Sequence, residues 1–82
     1  MDKLNKLISE EICYTELVYD RIRKKLILNL SNDEIEVFIK DSIVNADKIE
    51  HIGKNYYCSN SSTKTRVTVN SNNFRVITAY KL

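Results

Sequence analysis

Apolar residues recur at helical spacing through the first half of the chain and at strand spacing through the last third. Leu4, Ile8 and Ile12 stand four apart, and the stripe resumes with Val18, Ile22 and Leu26, flanked by Tyr14 and Leu17. Thr15, with Tyr14 before it and acidic Glu16 after it, suits a fresh helix start; Lys24 and Lys25 suit the negative end of the same helix. The spacing fits either one long helix or, the preferred reading, a short lead helix over about residues 3–12 followed by a main helix over about 15–29. Ser31-Asn32-Asp33-Glu34 has the form of a capping box, Ser followed three residues later by Glu ahead of an apolar run. Ile35, Phe38, Ile39, Ser42, Ile43 and Ala46 then follow one face of a helix over about 32–45.

From Ile49 the pattern changes to β-branched and aromatic residues separated by turn formers. Ile49–Ile52 opens extended structure and Gly53-Lys54 interrupts it as a bulge or a turn. Asn55-Tyr56-Tyr57-Cys58 is the next strand, and residues 59–64 form a polar loop. The last pair of strands reads as a hairpin with a two-residue turn at Asn72-Asn73, because Asn tolerates a positive φ. That register places Val69 opposite Val76, Thr68 opposite Ile77, Val67 opposite Thr78 and Arg66 opposite Ala79. Val67, Val69, Phe74, Val76 and Tyr80 then form a core face, and Arg66, Thr68, Asn70, Arg75, Ile77 and Ala79 an open one. The expected fold is a single α+β domain over residues 1–82. Two or three N-terminal helices pack on one face of a three-stranded antiparallel sheet made by the C-terminal third.

Eighty-two residues suffice for one hydrophobic core and no more. No apolar run approaches the roughly 18–20 residues that span a bilayer, and no secretory leader pattern is present, so the expectation is a cytoplasmic protein without membrane contact. The formal net charge is only +2, but it is unevenly spread. Residues 1–48 carry 8 basic and 10 acidic side chains (−2), whereas residues 49–82 carry 5 basic and 1 acidic (+4). Such asymmetry marks a surface for anionic partners, or else an edge protected by lysine against strand pairing. Cys13 and Cys58 lack CxxC spacing and read as reduced, buried thiols. With one His in the chain no metal site is assigned, and no cofactor motif is present.

Three patches carry a family resemblance: residues 13–22 (CYTELVYDRI), residues 53–57 (GKNYY), and Thr68-Val69-Asn70-Ser71 with residues 75–81 (RVITAYK). Together they resemble the DUF3781 family of small bacterial proteins, and the resemblance covers nearly the whole chain. It implies a cytosolic bacterial or phage protein and no particular activity. At the level of fold alone, helices first and a basic sheet last are also similar to the RelE- and barnase-like ribonuclease toxins.

The candidate chemistry lies on the open sheet face. Arg66, Thr68, Asn70 and Arg75, with His51, Lys54 and one of Tyr56 or Tyr57 adjacent (Tyr56 is the ligand-binding candidate), offer bidentate phosphate contacts and a stacking ring. The first reading is a non-enzymatic binding or regulatory protein whose basic face takes a nucleotide, RNA or an acidic protein partner, in the setting of a phage or mobile-element inhibitor of host defence. The second is a small metal-independent ribonuclease in which His51 works with Glu50 or Tyr80, and Arg66 or Arg75 stabilises the developing charge. The third is a structural homo-oligomer, with a homodimer built on the open face.

Overall fold

A computed structural model describes residues 3–26 and 29–82. Three helices precede four strands: α1 (Lys3–Glu11), α2 (Glu16–Leu26), α3 (Asn32–Val44), β1 (Lys48–Ile52), β2 (Asn55–Asn60), β3 (Thr65–Asn70) and β4 (Val76–Lys81). The lead helix and the main helix are separate, as in the preferred reading of the pattern. Residues 27 and 28 of the predicted main helix lie outside the described residues. At α3 the capping box is present: Ser31 Oγ accepts from the Glu34 N–H at 3.2 Å, and Glu34 Oε1 accepts from the Ser31 N–H at 2.9 Å.

The break between α1 and α2 serves the sheet. Cys13 N–H donates to the Phe74 carbonyl at 2.9 Å, and Val76 N–H donates to the Cys13 carbonyl at 3.0 Å. Cys13 thus extends the sheet by a single parallel bridge outside β4. The first helix docks on the third: Ile8 is fully buried, and Asn5 Nδ2 donates to the carbonyls of Val44 (3.3 Å) and Ala46 (3.0 Å). The Val44 carbonyl is among those a helix end leaves without an internal partner, and the Ala46 carbonyl lies just beyond that end.

The sheet has four strands in the order β1-β2-β3-β4, all antiparallel, not three. Gly53 decides this. At φ +60° it closes a tight turn between Ile52 and Asn55, so β1 reverses and pairs along its whole length instead of bulging.

The β3–β4 hairpin also departs from the simple expectation. Its loop is longer than two residues: Asn70 Oδ1 accepts from Asn72 N–H (2.8 Å) and Asn73 N–H (3.3 Å), and the Asn70 carbonyl accepts from Phe74 N–H at 2.8 Å. The side chain of Asn70 starts the turn before Ser71, and Phe74 takes the left-handed position at φ 58°. Val69 remains opposite Val76, but Thr68 then faces Thr78, Val67 faces Ala79 and Arg66 faces Tyr80. Ile77 is the extra residue of a β-bulge, and beyond it the faces exchange. Ala79, expected outside, is fully buried in the core; Tyr80, expected in the core, moves to the open face.

The core lies between the helices and one side of the sheet. Ile8, Val18, Ile22, Leu26, Ile35, Ile39 and Ile43 meet Cys58, Val67, Val69, Val76 and Ala79. These are the residues that the helical and strand periods place inward, Ala79 excepted.

Candidate functional site

Because paired residues share a face, the register sorts the sheet into two sides. Ile49, Cys58, Val67 and Ala79 form one row on the helix side, and His51, Tyr56, Val69 and Val76 form the next. On the side that the helices leave open, Lys48, Ser59, Arg66 and Tyr80 form a row across all four strands. Beside it run Glu50, Tyr57, Thr68 and Thr78, and then Ile52, Asn55 and Asn70.

Arg66 is at the centre of this surface. It is half-buried, and its Nε donates to Ser59 Oγ at 3.0 Å, which orients the guanidinium along the row. Among the described residues it takes part in no ion pair. Tyr80 stands directly opposite it on β4, and Tyr57 is its diagonal neighbour on β2; both rings are half-buried. The single carboxylate of these rows, Glu50, lies 3.7 Å from Lys48 Nζ on the edge strand. The centre therefore combines one cation with two aromatic faces and hydroxyls from Ser59 and Thr78. The Thr78 Oγ1 is shielded from solvent and has no hydrogen-bond partner among the described residues.

The remaining sequence candidates divide. Tyr56 and His51 lie on the helix side, where their rings are 4.7 Å apart; Tyr56 also stacks on Phe74 at 6.4 Å. They are separated from Arg66 by the sheet itself, so Tyr57, not Tyr56, is the tyrosine beside the arginine. Period two contains a signal for this, since a buried Cys58 puts Tyr56 inside and Tyr57 outside. Thr68 is on the open side but only 4% exposed, because it sits on a central strand between Tyr57 and Thr78. It shapes the floor and is not available to a ligand. The acceptor of Asn70 is occupied by the turn it builds. Lys54 is exposed in the β1–β2 turn, and its carbonyl accepts from the N–H (2.8 Å) and Oγ (2.9 Å) of Ser71, joining the two hairpin loops. Arg75 is exposed at the start of β4, near α2 rather than near Arg66. Lys48 and Ser59 join the site without having been singled out by sequence, since their place depends on pairing with β3.

Burial pushes the Cys58 thiol up to about 12, as suits a core residue. Cys13, expected buried, is exposed; its Sγ lies 3.6 Å from the Asn73 carbonyl. Among the described residues no group of three or more His, Cys, Asp or Glu side chains is arranged to hold a metal ion. Nor is any described helix long and apolar enough to cross a membrane.

A family model described as "Protein of unknown function (DUF3781)" matches residues 6–80. No curated protein and no solved structure matches the chain.

Proposed function

The chain belongs to the DUF3781 family, whose description names no activity, and from its geometry we propose a non-enzymatic protein that binds single-stranded RNA or its nucleotides on the open sheet face. The observation that carries this reading is Arg66, held by Ser59 and bordered by Tyr80 and Tyr57 on the side the helices do not cover. Bases splayed from a single strand stack on aromatic side chains, while a guanidinium takes the phosphate between them. Lys48 extends the positive row to the edge of β1. A ribonuclease reading is less well supported, because His51 lies on the other side of the sheet from Arg66 and Tyr80.

The test is a titration of the purified protein with short single-stranded RNA at two salt concentrations, with the RNA inspected afterwards for cleavage. Binding weakens with salt, by a slope of roughly 0.7 per phosphate contact, and the RNA stays intact. Tyr57→Ala and Tyr80→Ala each lose about 1–3 kcal/mol, the worth of one stacked base. Arg66→Ala lowers both affinity and salt slope, whereas His51→Ala changes neither. Wild-type affinity in all three open-face variants would sink the proposal, and RNA cleavage lost in His51→Ala would replace it with the nuclease.

A further inference from the structure

Arg21 and Arg75 are far apart in the chain, yet both line one cavity of about 210 Å³ at the outer edge of β4, together with Thr15, Leu17, Val18, Val76 and Ile77. We propose that this cavity is a phosphate-binding site, separate from the open face.

The two guanidinia are mounted on restrained backbone. Arg21 Nη1 donates to the carbonyl of Ile77 at 3.1 Å, the extra residue of the bulge. That bond uses one of the five guanidinium N–H groups and leaves the others free to turn toward a ligand. The main chain of Arg75 is clamped on both sides: its N–H donates to Asn73 Oδ1 at 2.9 Å, and its carbonyl accepts from Asn70 N–H at 2.9 Å. The residues before and after it are bonded to Cys13. Bulges and left-handed residues commonly re-aim side chains at binding sites, and here Phe74 and Ile77 flank the arginine closely.

Among the described residues no carboxylate lines the cavity. Glu16 and Asp20 line the neighbouring cavity, which shares Leu17 with this one, and Asp20 pairs there with Arg23 at 2.8 Å. Neither Arg21 nor Arg75 takes part in an ion pair among the described residues. Two cations without an anion repel each other, and a phosphate between them removes that cost while accepting bidentate bonds from each. Thr15 adds a hydroxyl to the rim. The volume is below the roughly 300 Å³ at which pockets for drug-sized ligands begin, so it suits a phosphoryl group rather than a base or a larger metabolite.

The experiment is a titration of the full chain with inorganic phosphate, read by the arginine Nε–H resonances. Arg21 and Arg75 shift saturably, and Arg23, which is paired with Asp20, stays within the drift produced by the same ionic strength of chloride. Arg75→Ala, which leaves the Arg21–Ile77 contact in place, weakens phosphate binding about tenfold or more. Equal, unsaturating shifts at every arginine, or unchanged affinity in Arg75→Ala, would overturn the site. Repeating the titration with a nucleoside monophosphate and with short single-stranded RNA identifies the source of the phosphate. Joint movement of Arg21, Arg75, Tyr57 and Tyr80 with RNA places the site on the path of one strand. If RNA moves nothing while phosphate still saturates the two arginines, the open-face reading fails and the edge site stands on free phosphate compounds.

Discussion

Asn60, at the end of β2, reaches into the C-terminal end of α3 and donates from Nδ2 to the Ser42 carbonyl at 3.2 Å. The same amide donates to the Asn45 carbonyl at 3.3 Å, and its Oδ1 accepts from the N–H groups of Ser62 (2.9 Å) and Thr63 (3.1 Å). One buried side chain therefore satisfies the helix end and starts the β2–β3 turn. Asn60→Ala leaves these groups unpaired and lowers stability by about 1–3 kcal/mol, as urea denaturation will measure. Asn60→Asp costs more at neutral pH, because a carboxylate then faces two carbonyl oxygens.

The bulge at Ile77 makes a second prediction. Ala79 is fully buried opposite Val67, so Ala79→Leu overpacks the core and costs about 1–3 kcal/mol in thermal or denaturant unfolding. A hairpin without the bulge would place this position on the open side and tolerate leucine. Stability unchanged in Ala79→Leu would therefore contradict the observed register.

The two thiols differ in reactivity. Cys13 is exposed, whereas Cys58 is 1% exposed with its pKa pushed up to about 12 by burial. An aromatic disulfide reagent at neutral pH labels Cys13 in the folded protein and reaches Cys58 only on unfolding. Cys13→Ser removes the fast phase alone. Two equally fast thiols would show that the core around Cys58 opens readily.

Tyr19 supplies a pH dependence. Its hydroxyl donates to Glu36 Oε2 at 2.7 Å, and this bond, followed by burial and the Glu36 charge, pushes its pKa from 10.0 up to about 12. A folded-state pKa raised above the unfolded value favours the protonated form. Its contribution to stability is complete below about pH 10 and is lost as pH rises through about 12. Tyrosinate absorbance should show two late-titrating groups, Tyr14, raised chiefly by burial, and Tyr19, and Glu36→Gln moves Tyr19 back toward 10.0. An unmoved titration curve in that variant would remove Glu36 as the cause.

By itself the sequence determined the α+β class, the helical first half, the α3 capping box and the inward stripes of Ile and Val, because each depends on neighbours within one or two turns of chain. The Asn-rich loop marks the β3–β4 hairpin in the same local way, whereas Gly53 leaves a bulge or a turn open, and only the structure adds the fourth strand. Only the tertiary structure decided which side of the sheet Tyr80 and Ala79 occupy, since one extra residue at Ile77 inverts the alternation after it. The same holds for Arg66 with Ser59, Tyr57 and Tyr80, for the separation of His51 from them, and for Arg21 beside Arg75. Those relationships join residues on different elements, and strand register with helix docking, not local propensity, sets the distances between them.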